Sequence, residues 1–524
     1  MNSMLTKIAL LNDIGVALSS EKNNQRLLER ILNGARQLTN ADGGTLYTVN
    51  ENNELVFEIV STHSLHIQMG GVGQQTIQFD PIPLYTEGKA NESMVVTHAV
   101  LTQQTINIED VYHVKGYDFS GTRRFDEKTG YRTTSILTIP MKNHKAEIIG
   151  VLQLINAIDE KNQQVRAFKK EDQQLAESIA SQAAVTLTNK RLIDEQKALF
   201  EAFIKLIATA IDEKSPYTGG HCRRLPELTM MIADACDQQQ QGALKDFLML
   251  DKDRYELLIA GWLHDCGKVT TPEYIIDKST KLQTIHDRIE GINTRFAVLK
   301  NEAEIKYLKQ KISQQEYEKY LQQLQNEQEF IQTCNTGGEF MDEADQQRVK
   351  KIAEYQWTDS SGQPQNLLSD NEVKNLCIAK GTLTQEEREI INNHIVVTIK
   401  MLAELPFPKH LQHVPEYAGG HHERMDGKGY PKGLKRNEMS WQARMMGIAD
   451  IFEALTARDR PYKKGKTLTE CLHILGRMKI DKHIDPDIFD VFVREKVYLR
   501  YAKAFLPNEQ IDEVDHQKIP GFKD

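Results

Sequence analysis

The chain has 524 residues, more than a single hydrophobic core usually organises, so two or three domains are expected. Hydrophobic residues make up 40% and charged residues 27%, a balance typical of folded soluble domains and unlike that of disordered or membrane-spanning chains. The formal net charge is -9 with both signs interspersed, which excludes a basic surface for polymeric DNA or RNA.

The first residues do not have the pattern of a targeting or membrane segment. The apolar run within residues 1–11 is interrupted by Asn12 and Asp13, so it is too short for a spanning helix and lacks the order of a signal peptide. The six cysteines have no CxxC spacing, and neither a disulfide framework nor a zinc ribbon is predicted. We therefore expect a cytoplasmic protein with no membrane partner.

Residues 1–165 have the pattern of an α+β domain. A helix is predicted over residues 24–40 because its apolar positions form one stripe, made of Leu27, Leu28, Ile31, Leu32, Ala35 and Leu38. Segments rich in β-forming residues follow at 44–49, 55–60, 135–140 and 148–155, separated by turns. A helix followed by mostly antiparallel strands predicts a small α+β domain.

Residues 166–212 are predicted to form one long connecting helix. There is no proline or glycine from Lys169 to Asp212. A seven-residue apolar repeat runs through it, made of Val185, Leu192, Leu199 and Leu206 and accompanied by Ile193, Phe200 and Ile207. The helix is either a rigid spacer or one half of a parallel pair in a homodimer. A sustained seven-residue repeat favours the dimer.

Residues 213–505 are predicted to form an all-α domain, with a C-terminal tail at 506–524. A polar segment at about 285–380 has the composition of an insertion, with Gln-rich helical sequence near Tyr307 to Phe330 and a loop near Gly337. It is interpreted either as a solvated helical hairpin outside the core or as a lid over a functional site.

The dipeptide His264-Asp265 follows the apolar segment 257–263. Alone, it is compatible with a core histidine beside a capping aspartate. Other segments supply further histidines and an aspartate, namely His221, His394, His421, His422 and Asp450. Together the seven side chains form a candidate ligand set from five segments.

Imidazoles and carboxylates without thiolates suit iron, manganese or zinc ions and argue against a purely structural zinc site. Seven candidate ligands exceed what one ion needs. Two ions that share a carboxylate are the usual arrangement for in-line attack on phosphorus. The residues therefore point to phosphodiesters as the substrate class.

At this point the motifs resemble a known family. The sequences HDCGK at 264–268, HHERMDGKGYP at 421–431, ADIFEALT at 449–456 and RPYK at 460–463 are similar to those of the HD-GYP family of cyclic-di-GMP phosphodiesterases. The likeness covers roughly residues 205–495 apart from the insertion. It implies a metal-dependent phosphodiesterase that converts cyclic-di-GMP to linear pGpG, and it leaves further hydrolysis to GMP open.

The resemblance also implies roles for individual residues. One ion would be held by His221, His264, Asp265 and Asp450, and a second by Asp265, His394, His421 and His422. Asp265 would bridge the two ions, for which iron or manganese is usual in the family. Lys268 would contact a phosphate oxygen, Tyr430 would pack beside a guanine, and Arg460 and Lys463 would contact phosphate or base.

The N-terminal region has a second resemblance. The sequences FDEKTGYRTTSIL at 125–137 and IGVLQL at 149–154 are similar to those of GAF domains. Such domains bind cyclic nucleotides, haem or other small ligands, or serve only to dimerise. The resemblance implies a sensor with an unidentified small ligand that biases the packing of the connecting helix and thereby access to the metal ions.

Two alternatives to a cyclic-di-GMP phosphodiesterase regulated by a GAF domain remain open. One is an HD phosphohydrolase for another nucleotide or for a mixed cyclic dinucleotide, and the Gly-Tyr-Pro motif at 429–431 argues against it. The other is a catalytically silent receptor or scaffold that binds the dinucleotide. The complete ligand set argues against that alternative, since a receptor has little need of all seven side chains.

Overall fold

The computed structural model describes residues 2–21, 23–72, 75–214, 220–337, 341–458 and 465–523. The chain divides into two units, Met1–Leu199 and Phe200–Asp524, and each is described by itself. Among the described residues, no helix combines the length and the apolar composition that crossing a bilayer requires.

The first unit is built on an antiparallel sheet flanked by helices. Its strands are β1 (Ala41–Val49), β2 (Glu54–Thr62), β3 (Ile67–Gly70), β4 (Ile82–Pro83), β5 (Tyr85–Thr86), β6 (Lys89–Ala90), β7 (Ile106–Ile108), β8 (Ile136–Lys142), β9 (Ile148–Ile158) and β10 (Val165–Arg166). The main order is β3-β2-β1-β9-β8-β7, with β4 on β2 and β10 on β9. Strands β5 and β6 form a separate hairpin. The four predicted strand segments are confirmed as β1, β2, β8 and β9.

The helices of this unit are α1 (Asn2–Ser20), α2 (Asn24–Thr39), α3 (Val95–Thr102), α4 (Ser120–Thr129) and the start of α5 (Lys170–Lys214). The predicted helix over 24–40 is confirmed as α2. Its side-chain N-cap is Asn23, which accepts a hydrogen bond from the backbone N–H of Arg26, and it ends at Asn40 in the left-handed conformation. All six residues of its predicted stripe are at most 1% exposed, in a core shared with the sheet and α5.

Helix α1 was missed in the sequence, where Asn12 and Asp13 were interpreted as the end of an apolar run. Both residues are exposed, so they lie on the outer face of a helix that continues to Ser20. Leu18 is buried, and Ile14 packs so closely on α2 that a Cβ at Gly34 would lie 3.0 Å from it. Burial against α2, rather than local sequence, stabilises α1.

Helix α5 is a single helix of 45 residues, close to the predicted span. It begins with Glu171 and Asp172 in its first turn, where negative charge is favourable. The predicted seven-residue repeat is exposed along it, with Leu192 48%, Leu199 58% and Leu206 62% accessible. An isolated chain therefore leaves this apolar stripe in water.

The second unit is almost entirely helical. Its helices are α6 (His221–Asp237), α7 (Asp251–Leu263), α8 (Glu273–Ile276), α9 (Ile289–Leu308), α10 (Gln314–Asn335), α11 (Glu343–Ala353), α12 (Asp370–Leu376), α13 (Gln385–Ala403), α14 (Val414–Gly419), α15 (Trp441–Thr456), α16 (Leu468–Ile480), α17 (Pro486–Arg494) and α18 (Val497–Phe505). A short hairpin of β11 (Gln356–Thr358) and β12 (Pro364–Asn366) interrupts the helices. The predicted all-α class holds apart from this hairpin.

Helices α6, α7, α15, α17 and α18 contribute to one large core. Phe452 of α15 is fully buried there, with its ring 5.1 Å from that of Phe492 and 5.8 Å from that of Tyr501. Close packing of this kind holds the backbone of α15 rigidly. The polar residues that α15 presents on its other faces therefore project from a fixed support.

The segment predicted as an insertion has a hydrophobic core of its own, formed by residues that include Leu282, Ile292, Phe296, Leu324, Ile331, Val349, Leu367 and Leu376. Arg295 of α9 joins α12 through two hydrogen bonds to Glu372, of 2.8 and 2.9 Å. The segment is thus more than the solvated hairpin of the first interpretation. None of its described residues, 285–337 and 341–380, lines the two cavities at the histidines described below.

Candidate active site

Five segments of the second unit bring the seven predicted ligand side chains together. His221 is the first residue of α6, and Gly220 before it has a φ of +83°, a conformation that glycine adopts without strain. His264 and Asp265 follow the last turn of α7. The remaining ligands come from the middle of α13, the turn after α14 and the middle of α15, and they are His394, His421, His422 and Asp450.

Asp265 lies at the centre of the site. Its Oδ2 is 3.4 Å from His221 Nε2 and 3.1 Å from His264 Nε2, whereas its Oδ1 is 3.2 Å from His394 Nε2. The two carboxylate oxygens therefore face different histidines. Two groups of three side chains have ligand atoms within 4.8 Å of one another, namely His221 with His264 and Asp265, and His394 with His421 and His422.

Asp450 also reaches towards both groups. Its Oδ1 is 3.4 Å from His221 Nε2, and its Oδ2 is 4.0 Å from His422 Nδ1. The rings of His264 and His421 are 5.0 Å apart, centroid to centroid. The seven side chains thus form one continuous cluster.

Backbone carbonyl groups orient three of the imidazoles. The Nδ1 atoms of His264, His394 and His421 each donate to the carbonyl oxygen three residues earlier in the chain. A carbonyl only accepts, so each Nδ1 carries a proton, and in the neutral ring Nε2 is then the atom that can bind a metal. A fixed tautomer of this kind is what a metal-binding histidine requires.

The donor set fits a bound cation. Asp265 Oδ1, His394 Nε2 and His421 Nε2 are buried and have no hydrogen-bond partner among the described residues. Buried polar atoms without partners are costly, and these three converge on one another. Divalent cations held by nitrogen and oxygen ligands would satisfy all three atoms.

The ionisation of Asp265, His421 and His422 suits a bound cation. Burial would raise the pKa of Asp265, but His264, Lys268 and His221 hold it well below its usual value. Burial, followed by the neighbouring His422 and His264, holds the pKa of His421 well below its usual value. Burial also lowers the pKa of His422 to about 4, although Asp450 acts in the opposite direction. Anionic carboxylates and neutral imidazoles are the ligand forms that metals bind.

Glu453 is a functional residue that sequence reasoning missed. It is 1% exposed, its Oε2 lies 2.5 Å from His221 Nδ1, and its Oε1 accepts a 2.7 Å hydrogen bond from Arg224. Burial would raise the pKa of Glu453, but His221 and Arg224 lower it to about 2. The carboxylate therefore orients His221. Its signal in the sequence was an acid three residues after Asp450, on the same face of α15.

Lys268 lies beside the central carboxylate. Its ammonium donates to Asp265 Oδ2 over 2.6 Å, and the residue lines a cavity of about 220 Å³ together with His221, His394, His422 and others. Burial would lower the pKa of Lys268, but Asp265 and Asp450 raise it above its usual value, so the group stays charged. Lys268, the predicted phosphate-binding lysine, thus contacts the cluster through its hydrogen bond to Asp265.

The loop after His422 has a conformation that its own residues determine. Glu423 accepts hydrogen bonds from the backbone N–H groups of Lys432, at 2.7 Å, and Leu434, at 2.9 Å. A Cβ at Gly429 would lie 2.4 Å from the backbone nitrogen of Arg424, so only glycine fits there. The atoms that a side chain at position 429 would meet belong to the backbone, so the loop could not shift to make room for one.

Tyr430 is placed by this loop against the cluster. Its ring stacks on that of His422, with centroids 4.8 Å apart and planes 29° from parallel. The peptide bond between Tyr430 and Pro431 is cis. Tyr430 lines both the 220 Å³ cavity and an adjoining cavity of about 500 Å³.

The larger cavity combines cations with apolar side chains. Among its lining residues are Arg424, Lys428, Lys466, His483, Ile451 and Leu455. Lys466 was missed in the sequence because no spacing rule connects it to the histidines. The predicted contacts Arg460 and Lys463 lie outside the described residues.

The first unit contains a different kind of cavity, of about 290 Å³, on one face of the sheet. Its lining is mainly aromatic and aliphatic, including Tyr47, Phe57, Phe79, Val96, Phe119, Phe125 and Ile155. Among the described residues that line it, Asp118 is the one charged side chain. Asp126, within the FDE sequence, instead accepts hydrogen bonds from Thr133 and Tyr112, which gives it a structural role.

Comparisons with protein families agree with this division. Residues 23–187 match the GAF domain, and residues 370–488 match the HD domain. The HD match includes His394, His421, His422 and Asp450. The other three predicted ligands precede it in the chain.

Three curated relatives match parts of the second unit. A 3'3'-cGAMP-specific phosphodiesterase of Vibrio cholerae is 40% identical over 97 residues, 18% of this chain and 22% of the relative. A cyclic di-GMP phosphodiesterase of Thermotoga maritima is 35% identical over 119 residues, 23% of this chain and 32% of the relative. Another, of Pseudomonas aeruginosa, is 36% identical over 114 residues, 22% of this chain and 26% of the relative. The chain spans less than a third of the length of each.

Among solved structures, the GAF domain of an Acinetobacter phosphoenolpyruvate-protein phosphotransferase is 15% identical and covers 36% of this chain and 96% of its own, with a TM-score of 0.26. The corresponding domain from Coxiella burnetii is 14% identical and covers 36% of this chain and 98% of its own, with a TM-score of 0.28. The family matches and the relatives together confirm the two predicted family resemblances. The chain therefore contains a GAF domain and an HD domain, and its HD region is related to cyclic dinucleotide phosphodiesterases.

Proposed function

We propose that the second unit is a metal-dependent phosphodiesterase that hydrolyses cyclic-di-GMP to linear pGpG. The observation that carries the proposal is the position of Asp265, whose two oxygens face separate groups of histidines 3.1 to 3.4 Å away. A carboxylate between two groups of ligands is the arrangement by which two ions act on one phosphoryl group.

The proposed ligands follow from the two groups. Iron or manganese would be held at one position by His221, His264, Asp265 and Asp450, and at the other by Asp265, His394, His421 and His422. When bound, two divalent cations supply Lewis-acid chemistry, which makes a water more acidic and withdraws charge from a phosphoryl oxygen.

The side chains of the chain itself perform the positioning. Glu453 holds the ring of His221 through the 2.5 Å contact, and the backbone carbonyl groups hold three other imidazoles. Lys268 keeps its ammonium charged beside Asp265, where it would stabilise negative charge that develops on a phosphate oxygen. Most of the cluster is buried, and a surrounding of low dielectric constant strengthens these interactions.

The larger cavity supports a dinucleotide substrate. A cyclic dinucleotide has two phosphates and two purines, so a phosphate at the histidine cluster leaves the remainder to occupy the adjoining 500 Å³ cavity. There the ring of Tyr430 offers a stacking surface for a guanine, and Lys428 and Lys466 offer positive charge to the second phosphate. We assign Arg460 and Lys463 to phosphate or base contacts on the family resemblance alone.

A mixed cyclic dinucleotide is the second candidate substrate. The observation that favours it is the relative from Vibrio cholerae, which is described as specific for 3'3'-cGAMP and is 40% identical over 97 residues. The two substrates differ in one purine, so the base contacts in the larger cavity decide between them.

The test uses the full chain, purified without oxygen and loaded with iron or manganese. It is incubated with cyclic-di-GMP, 3'3'-cGAMP, cyclic-di-AMP and a mononucleotide, and the products are separated by chromatography. We expect pGpG from cyclic-di-GMP and the loss of that product in Asp265→Ala. Equal activity of Asp265→Ala would defeat the proposal. Tight binding without turnover by the metal-loaded chain would favour the receptor alternative.

We also propose that α5 pairs with α5 of a second copy. The exposed repeat of Leu192, Leu199 and Leu206 recurs at the spacing of a coiled-coil seam, and burying it requires a partner helix. Light scattering should give a dimer mass for the native chain and a monomer mass for Leu192→Glu/Leu199→Glu. A native chain that stays monomeric at micromolar concentration would refute this pairing.

The lining of the first cavity supports a neutral, mainly apolar ligand for the GAF domain. Six aromatic side chains line it, and neither lysine nor arginine is among its lining residues within the described part of the chain. An anionic nucleotide would leave its phosphate next to Asp118 without a cationic side chain. We therefore propose that the ligand regulates the phosphodiesterase by changing how side chains pack in the GAF domain, and not by adding charge there.

A further inference from the structure

The last turn of α5 touches the segment that carries Lys268. The ammonium of Lys214 donates to three backbone carbonyl oxygens, those of Lys268 at 3.0 Å, Val269 at 2.5 Å and Thr271 at 2.6 Å. An ammonium has three N–H donors, so each of these carbonyls can be paired with one of them. These carbonyls belong to the end of the 3₁₀ turn Cys266–Thr270, where positive charge is favourable.

The same turn of α5 also holds the start of α6. Asp212 is 6% exposed, and its carboxylate accepts hydrogen bonds from the backbone N–H groups of Gly220, at 3.1 Å, and Cys222, at 3.3 Å. These residues flank His221. Gly220 has no side chain with which to cap α6, so Asp212 supplies the anionic cap from another helix.

The 3₁₀ turn is also in contact with α13. The backbone N–H of Gly267 donates to Thr398 Oγ1 over 2.9 Å. A Cβ on Gly267 would lie 2.0 Å from the carbonyl oxygen of His394, so the turn is already in contact with the backbone of α13. The turn that carries Lys268 is therefore held both by α13 and by the end of α5.

We propose that Asp212 and Lys214 are positioning residues of the active site, Asp212 through His221 and Lys214 through Lys268. The proposal rests on the proposed phosphodiesterase function. A displacement of the last turn of α5 changes the position of both side chains, and thus turnover. Helix α5 is continuous from Lys170 to Lys214. It begins within the residues that match the GAF domain, so Asp212 and Lys214 lie at the far end of a helix that starts in that domain.

A purely structural role for these contacts would stabilise the unit without affecting the folded enzyme. The two roles differ in what changes once the protein is folded and loaded with metal. A misplaced Lys268 lowers kcat, because its charge is needed during the reaction, while substrate binding in the larger cavity persists. A misplaced His221 lowers metal affinity.

The experiment compares the metal-loaded full chain with Lys214→Met, Lys214→Arg, Asp212→Ala and Asp212→Asn, with Glu213→Gln as the matched control. Glu213 lies between the two residues and is exposed. The measurements are kcat and KM for cyclic-di-GMP, metal retention against a chelator, and hydrogen exchange of the amides of residues 266–271.

We expect Lys214→Met to lower kcat by about 10- to 100-fold with KM changed less than about 3-fold, since small misplacements cost this much. Exchange at 266–271 should accelerate. Lys214→Arg should restore most of the activity, because guanidinium also donates to several carbonyls. Asp212→Ala should weaken metal retention by about 10-fold, and Asp212→Asn should weaken it less, since an amide keeps one acceptor oxygen.

The role of Lys214 would be overturned if Lys214→Met kept the wild-type kcat and the wild-type rate of hydrogen exchange. It would also be overturned if Lys214→Met lost thermal stability and nothing else changed. Wild-type metal retention in Asp212→Ala would overturn that of Asp212. If Lys214→Met does not fold, Lys214→Arg and Lys214→Gln decide the question through the same kcat and exchange measurements. If the native chain does not hydrolyse cyclic-di-GMP, the proposed function fails, and exchange and metal retention still test the positioning.

Discussion

The functional-site cavities of the two units are lined by opposite chemistry. The cluster in the second unit gathers five histidines and two aspartates, most of them buried, beside a charged lysine. The cavity of the first unit is lined mainly by aromatic, aliphatic and hydroxyl side chains, and Asp118 is the one charged residue in the described part of its lining. One site is built to handle charge, and the other to enclose apolar surface.

The difference shows which kind of functional site can be recognised from a sequence. A buried ionisable side chain is costly unless it is paired or bound to metal, so a cluster of them indicates a functional site. An apolar cavity uses the same residues as an ordinary core and gives no such indication. Substitutions at the two sites should therefore differ strongly in their effect.

The largest effect should follow Asp265→Asn at the centre of the cluster. The amide removes the negative charge shared by both groups of histidines, so we expect kcat to fall by about 1,000-fold or more and metal content to drop. Turnover of cyclic-di-GMP and elemental analysis measure the two effects. Asp246→Asn, at an exposed aspartate, is the control and should match the native chain. Retained turnover in Asp265→Asn would show that charge at this position is dispensable.

The next largest effect should follow Lys268→Met. Loss of the ammonium removes positive charge beside Asp265 while the metal ligands remain, so kcat should fall by about 100-fold with metal content unchanged. The comparison of kcat with KM separates this from a loss of substrate binding. An unchanged kcat would assign Lys268 to the charge balance of Asp265 alone.

Glu453→Gln tests the residue that orients His221. A neutral amide keeps the shape but not the charge-assisted contact, and we expect metal affinity to fall by about 10- to 100-fold. Competition with a chelator measures the affinity, and Glu404→Gln, at an exposed glutamate, serves as the control. Native affinity in Glu453→Gln would mean that backbone packing alone orients the ring.

A smaller effect is expected at Tyr430. Tyr430→Phe keeps the ring that stacks on His422 and should change KM for cyclic-di-GMP by less than about 3-fold, whereas Tyr430→Ala should raise KM by about 10-fold. Steady-state kinetics on both variants gives the answer. If Tyr430→Phe changed KM by more than about 3-fold, the contact with the substrate would be assigned to the hydroxyl group rather than the ring.

The smallest effect on turnover should come from the first cavity. Val60→Trp places a large ring in the 290 Å³ space and should leave kcat without ligand within about 2-fold of the native value. Binding of the neutral dye Nile red, followed by fluorescence, should be lost. Val165→Trp, at an exposed site, is the control. Undiminished dye binding in Val60→Trp would place the apolar ligand elsewhere.

Periodicity and motif order predicted much of this molecule. The stripe from Leu27 to Leu38 and the uninterrupted run before Lys214 identified α2 and α5, because both depend on local spacing. Five separate segments were grouped by residue type and family resemblance, and the structure brings their side chains together in one cluster. Their roles as ligands stay a proposal.

What the sequence did not predict depends on contacts between distant residues. Helix α1 forms because it packs on α2, which no local pattern of residues 2–20 shows. Glu423 and Glu453 act through backbone groups and a ring brought close only by folding. The hairpin of β11 and β12 lies in a polar segment with weak strand signals, and its packing on α9 supports it.

The central claim is that Asp265 lies between two cations. Anomalous diffraction from crystals of the anaerobically purified chain, recorded at the absorption edges of iron and manganese, tests this directly. The account predicts two peaks, one on each side of Asp265, flanked by His221 with His264 and by His394 with His421. A single peak in a chain that still hydrolyses cyclic-di-GMP would contradict it.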